Sequence, residues 1–405
     1  MIPYYEGFDY GGEVAEKEVN VKIWETDGAR TCLVDADLLP YRVAFTISDT
    51  SYLAAMALVE DSTCSSIRET PQFESAFDQL CKMLNSWIKK TKCDSALLYT
   101  TKSSTNFRLN IAYSDGYKGQ RGAIKPPFFQ ELKEEMTSVL GCELADGIEA
   151  DDRLSMEASR RTRLLGVLAG SIQHKELCDC VIASSDKDST ITPSWNWNPD
   201  TGKMIWVSLI GELEPKYKKA VVKDYAVVGT GVFYKRGENA GKEKTKRVLI
   251  GDKPSSAIDK LNGHGLRFFY SQLIMGDTAD NYKGLDGIGK TRAYNLLCNL
   301  TTSKDLYMAV LKEYRLYYGE GTHWCPHYKG KDNYNEQYNA AHGEDSPDWL
   351  FWKGKGAWLT AYDRMLEQGR LAWMLQSDGD IWRKDKGAII DPHDKEFWHD
   401  KSDKL

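Results

Sequence analysis

TCLVDAD, spanning Thr31–Asp37, is the stretch on which the fold turns. A short apolar run that ends on an acid suits a buried strand. The form recurs in ALLYTT (96–101) and in CVIASS (180–185), which runs into Asp186. Helical periods lie between them. Over 71–92, Phe73, Phe77, Leu80, Leu84, Trp87 and Ile88 fall three and four apart, one face of a helix. Pro126–Pro127 opens another helix through Leu140, as proline does at a first turn, and a third runs from Glu149 to Leu165. Strands alternating with helices predict an α/β fold with a parallel twisted sheet flanked by helices. Such sheets place their sites at the carboxyl ends of the strands, where Asp35 and Asp186 fall.

The chain has 405 residues, enough for two or three domains at ~150 residues each. Hydrophobic residues are 41% and charged residues 28%, a globular balance. The longest unbroken apolar run, Tyr52–Val59, falls far short of the ~20 residues of a membrane span. Residues 1–29 hold seven acids and two lysines and read as an acidic extension, with no signal peptide. Nine cysteines form no CxxC pair, which argues against a disulfide framework and for reduced thiols in the cytoplasm. The net charge of -6 would speak against a nucleic-acid partner. It is unevenly spread: 211–253 carries eleven Lys/Arg against six acids.

Four clusters pair acids at the edges of apolar segments: LVDAD (Asp35, Asp37), IEADD (Glu149, Asp151, Asp152), SSDKD (Asp186, Asp188) and MGDTADN (Asp277, Asp280). Each alone has a bland reading, as a dipole-facing helix start, a strand end or a solvated turn. Together they are costly to gather unless cations neutralise them. Oxygen ligands suit hard divalent ions such as Mg²⁺ or Mn²⁺.

LVDADLLPYR (33–42), YKGQR (117–121), IEADD (148–152), SSDKD (184–188) and MGDTADNYKGLDGIGKTRA (275–293), in that order, resemble the 5′ nuclease family of flap endonucleases and 5′–3′ exonucleases. The likeness is greatest to the free-standing exonucleases of short-tailed bacteriophages, partly through SSDKD followed by PSWNWNP (193–199). The resemblance implies an α/β nuclease core over 30–255, with a helical arch at about 102–126 and a basic insertion at about 211–253. It further implies a helix–three-turn–helix DNA-binding element over 256–300 and a mostly helical region over 301–405. It implies two-metal hydrolysis of DNA at 5′ ends, nicks or flaps, with activity on RNA–DNA hybrids open. A monovalent cation at the hairpin, a monomeric state and replication proteins as partners belong to the same expectation.

Carried over by residue, Asp35, Glu149 and Asp151 match the first metal cluster. Asp152, Asp186, Asp188, Asp277 and Asp280 match the second or its surroundings. Arg42 matches a phosphate-contacting arginine, Lys118 and Arg121 basic residues at the arch base, and Tyr117 a stacking position. One departure is YTTKSST (99–105), with Thr100 or Thr101 where the family has an acid; Ser189 is another. A catalytically weakened DNA-end-binding protein is therefore the alternative. Without the eight candidate acids the chain would carry +2 (-6 + 8), so metal loading reconciles its charge with DNA.

Gly284–Thr291 also fits the P-loop pattern G-x-x-x-x-G-K-[ST] letter for letter. A P-loop needs a strand feeding the first glycine, and the acidic turn here offers none, so an NTPase is the weaker alternative. The stronger one is a hairpin in which Gly287, Gly289, Lys290 and Arg292 hold one DNA phosphate. His323, Cys325 and His327, with His342 beyond, could form a zinc site or a polar surface loop. Lys235–Arg247 reads as a basic loop.

Overall fold

Cys32, Leu33, Val34, Ala183 and Ile182 are at most 1% exposed, so the strands that carry them lie in the middle of a sheet. The computed structural model describes residues 2–3, 29–118, 125–328 and 356–383. In chain order it opens with β1 (Ile2–Pro3), β2 (Thr31–Asp35), α1 (Leu38–Ala44), α2 (Asp49–Glu60), α3 (Pro71–Lys90), β3 (Ser95–Asn106) and α4 (Arg108–Ile111). Next come α5 (Phe129–Val139), β4 (Glu143–Gly147), α6 (Ala150–Leu165), α7 (Ile172–Leu177), β5 (Cys180–Ala183), β6 (Trp195–Trp197) and β7 (Met204–Trp206). These build a seven-stranded sheet in the order β1-β3-β2-β5-β6-β7, with β4 beside β3. β4, β3, β2, β5 and β6 run parallel; β1 and β7 are antiparallel. The α/β class and the flanking helices are as the sequence predicts.

α3 begins where Thr70 accepts a hydrogen bond from the Phe73 amide and Pro71 fills the first turn. Its Phe73, Leu80, Leu84, Trp87 and Ile88 face the sheet. α6 ends at Gly166, whose φ of +67° is the left-handed stop of a helix.

The remaining elements are β8 (Glu212–Tyr217), β9 (Val221–Phe233), β10 (Glu243–Pro254), β11 (Ile258–His264), α8 (Gly265–Met275), α9 (Lys290–Leu297), α10 (Ser303–Tyr318), β12 (Thr322–Pro326), β13 (Gly356–Thr360) and α11 (Ala361–Ala372); helices α8 to α11 with β8 and β11 build a second core, to which β9 and β10 contribute no buried residue. Leu266, Phe269, Leu273, Leu306, Val310 and Met365 fill it. Residues 258–264 are strand, although spacing alone groups them with the following helix. A register shift between Ile258 and Lys260 puts Ile258 and Leu261 on one buried side, three apart as in a helix. Of the basic stretch 235–247, residues 235–242 form the connecting turn of a β-ribbon and 243–247 belong to its second strand, β10. The stretch expected as an arch starts as strand to Asn106 and a single turn at Arg108–Ile111, and 119–124 lie outside the described residues.

Candidate active site

Parallel pairing sets the geometry. Asp35 ends β2 opposite Tyr99, and Val34 pairs with Ala183, so Asp35 meets the Ser184–Asp186 segment leaving β5. β4 ends at Gly147 and delivers Glu149 and Asp151 at the start of α6. A cleft of about 1070 Å³ opens at these strand ends. Asp35, Asp37, Glu149, Asp151 and Asp186 line it, with Lys118, Lys125, Lys133, Lys187 and Lys260. The structure thus brings together five acids from three chain segments in a cleft that lysines also line.

Like charges in a dry place resist ionisation. Burial, then the charges of Asp37 and Asp186, push the Asp35 carboxyl up to about 8, against a hydrogen bond from the Ser184 hydroxyl at 2.9 Å. Asp151 is likewise raised, by burial and then by Asp35, Asp186 and Glu149. Its Oδ1 is buried without a hydrogen-bond partner. Glu149 takes the Lys118 ammonium and, at 2.9 Å, the Tyr117 hydroxyl. Lys118 stands at φ +51°, in the left-handed region, and its amide donates to the Asp280 carbonyl at 3.1 Å. Asn281, at φ +59°, reaches back to the Gly116 carbonyl at 2.7 Å. Two strained residues thus lace the 116–118 segment to the 276–289 hairpin.

Asp37 is held by three donors. The Thr100 hydroxyl lies at 2.6 Å, the Thr101 amide at 3.1 Å and the Lys133 ammonium at 3.3 Å. The threonines that stand where an acid was expected therefore grip Asp37, the acid between the neighbouring strand β2 and helix α1. Thr101 also accepts from the Ala150 amide at 2.9 Å, fixing the start of α6.

The other expected acids stand behind the cleft. Asp188 is buried against Gln272 Nε2 at 2.5 Å, and burial followed by Asp186 pushes its carboxyl up to about 8. Asp277 pairs with Lys187. Asp280 lies 3.4 Å from the Tyr117 hydroxyl and 3.7 Å from Lys118 Nζ.

Several expectations need correction. Asp152 does not face the cleft. Fully buried, its oxygens accept from Arg108 at 2.6 and 2.8 Å, from the Glu149 amide at 3.1 Å and from the Leu375 amide at 3.1 Å. With its lone pairs so engaged it is a structural anchor, not a metal ligand. Arg42 pairs with Asp200 and lies over the Trp87 ring at 5.4 Å, and is not among the residues that line the cleft. Tyr117 is 4% exposed, too buried to stack on a base; its hydroxyl bridges Glu149 and Asp280. Arg121 lies outside the described residues. Arg108, which the sequence did not single out, proves central: its guanidinium also donates to the Leu371 and Trp373 carbonyls at 3.0 and 2.6 Å.

α8, a helix, precedes the hairpin, and the only pairing within it is a single bridge between Asp277 and Tyr282. That is not the strand a P-loop requires. Gly276 and Gly284, both at positive φ, back onto each other; a Cβ on Gly284 would lie 2.4 Å from the Gly276 nitrogen. Gly287, at φ +74°, has open space around it, and Gly289 caps α9 without a side chain. Lys290 is exposed, with Nζ on the Asp259 carbonyl at 2.6 Å. Arg292 is drawn aside to Glu313 at 2.7 Å.

The donor set of the cleft is all oxygen, and Asp151 Oδ1 is open, which fits hard divalent cations. Among the described residues no three His, Cys, Asp or Glu side chains stand already gathered as a cage. Cys325 faces Arg364, whose Nη1 lies 3.1 Å from its Sγ, a cation where zinc would need space, and His342 lies outside the described residues. Trp358 is 65% exposed on β13. No described helix is long and apolar enough to cross a membrane.

No known protein family matches the chain by sequence, and no curated protein does. Among solved structures, the chain is similar to the 5′-exonuclease of bacteriophage T5 with bound zinc. The identity is 17% and the TM-score 0.40, over 84% of this chain and 89% of that one. It is also similar to the flap endonuclease of bacteriophage T5 in a pseudo-enzyme–product complex with DNA and metal ions. There the identity is 15% and the TM-score 0.38, over 84% and 92%.

Proposed function

We propose that the chain is a divalent-metal-dependent 5′–3′ nuclease that hydrolyses phosphodiester bonds near the 5′ ends of duplex DNA. The observation that carries this reading is the cleft itself. Five carboxylates line one cleft at the sheet's carboxyl edge, and lysines line it with them. Acids alone would repel a phosphate and lysines alone would need no buried acids; the combination suits cations and a polyanion in one place.

Asp35, Asp37, Glu149, Asp151 and Asp186 would hold the ions, Mg²⁺ or Mn²⁺. Bound ions supply Lewis acidity toward the phosphate and neutralise its charge. The protein's own groups do the rest. Ser184 orients Asp35, and Thr100 with the Thr101 amide orients Asp37. Lys118, paired with Glu149 in the free protein, is placed to exchange that partner for a phosphate oxygen. Tyr117 holds Glu149 and Asp280 in register. Lys290 and the open backbone at Gly287 provide a docking point for the duplex backbone, whatever its sequence.

The second reading is a DNA-end-binding protein with weakened catalysis, motivated by Thr100 and Thr101. The grip of these threonines on Asp37 favours the enzyme. The deciding experiment incubates one duplex, labelled in turn at the 5′ and the 3′ end, with Mg²⁺ and with chelator. The enzyme reading expects short products from the 5′ label in Mg²⁺ and none in chelator. Binding without any cleavage would favour the second reading.

A further inference from the structure

β9, thirteen residues long, pairs with β10 as an isolated two-stranded ribbon. At roughly 3.3 Å per residue the ribbon is about 40 Å long. Every side chain from 227 to 252 is exposed. An isolated ribbon of this kind gains little from folding alone. This one is braced by its own side chains. Arg247 lies over the Tyr225 ring at 4.7 Å and Lys244 over Tyr234 at 5.2 Å. The Thr230 hydroxyl donates to the Lys244 carbonyl at 2.7 Å.

Its charge is graded. The shaft, 221–233 with 248–254, carries two lysines and two aspartates. The distal part, 234–247, carries six Lys/Arg against two glutamates. The ribbon is also continuous with the cleft. The Lys218 amide donates to the Ala257 carbonyl at 2.9 Å and the Ser255 amide to the Ala220 carbonyl at 2.8 Å, joining it to the β8–β11 ladder. Lys260 of that ladder lines the cleft, and Lys290 rests on the Asp259 carbonyl.

We infer that this arm is a second, sequence-independent contact for duplex DNA, made by its basic tip on phosphates distant from the cleft. The inference rests on the nuclease reading of the cleft. The occupant follows from charge and length. A net +4 concentrated in fourteen residues complements a polyanion. A ribbon two strands wide fits the groove and flank of a duplex. At 3.4 Å per base pair, its length corresponds to about 12 base pairs.

The test uses the full chain with Lys235, Arg236, Lys242 and Lys246 all changed to Gln. A second variant replaces 234–242 by Asn-Gly, joining Phe233 to Glu243, which already pair across the ribbon. Affinity for fluorescein-labelled duplexes of 30 and 8 base pairs is measured in chelator across a salt series. For the 30-base-pair duplex, the salt slope of the fourfold variant should fall by about 3 to 4, at roughly 0.9 per lost phosphate contact. For the 8-base-pair duplex, too short to span cleft and tip, it should not change. The truncation should act in the same direction. If the parent binds the long duplex and both variants keep its slope, the arm proposal fails and the nuclease reading stands. If the parent binds neither duplex, both fail. A parent that is dimeric and becomes monomeric on truncation would reassign the arm to a protein interface and overturn the proposal.

Discussion

The carboxylate cleft and the β9–β10 arm use charge in opposite ways. In the cleft, Asp35 is buried and Asp151 half-buried beside like charges, and both resist ionisation; behind them Arg108 and Asp152 form a fully buried pair. In the arm, the charges of the distal part, 234–247, are all exposed, and those of Lys244 and Arg247 lie over rings of the ribbon itself. The difference teaches where each kind of work can be done. Chemistry needs charges that are expensive to leave uncompensated, because a cation or a transition state then gains from meeting them. Reversible docking on a polymer needs charges that cost little either way, so that release stays fast.

The comparison can be broken first at the buried pair. Arg108→Met leaves Asp152 uncompensated in the interior and frees the carbonyls of Leu371 and Trp373. Urea unfolding should show a loss of about 3–5 kcal/mol. Arg247→Met on the arm should stay within about 0.5 kcal/mol. Equal losses would mean that burial is not what separates the two regions.

At the cleft's rim, Lys118→Ala should slow single-turnover cleavage by at least ~10-fold at saturating enzyme, while duplex affinity changes less. A fall in affinity with an unchanged saturated rate would move Lys118 to the side of the arm, as a docking residue. The smallest effect is expected at the hairpin. Lys290→Ala should weaken duplex binding about equally for all sequences and lower the salt slope by about one. The parent should show no ATP hydrolysis, with or without DNA. Turnover that Lys290→Ala abolishes would restore the nucleotide-binding alternative.

Much of the cleft was legible because it obeys local rules. A buried run ending in an acid gave Asp35 and Asp186, and a helix start gave Glu149 and Asp151. What was not legible depends on partners far along the chain. Arg108 sits in a polar stretch with no period, yet meets Asp152 and carbonyls more than 260 residues away. Asp152 reads like its neighbour Asp151, and one step around the helix decides that one faces the cleft and the other the interior. Tyr117 looked like a stacking ring until burial claimed it. Strand β11 mimicked a helix because its bulge places Ile258 and Leu261 on one side. The strand residues 243–247 read as part of a loop because their side chains, all exposed, carry no alternation of burial to reveal the strand.

The central claim is that the acids of the cleft hold divalent ions that act on DNA. It is tested most directly by single-turnover cleavage of a 5′-labelled duplex across a Mg²⁺ series, in the parent and in Asp151→Asn. Duplex affinity is measured alongside. The account predicts no cleavage by the parent in chelator and a rate that rises with Mg²⁺. Asp151→Asn should be at least ~10²-fold slower at every concentration while binding duplex within a few-fold of the parent. Cleavage by the parent in chelator, or near-normal cleavage by Asp151→Asn, would contradict it.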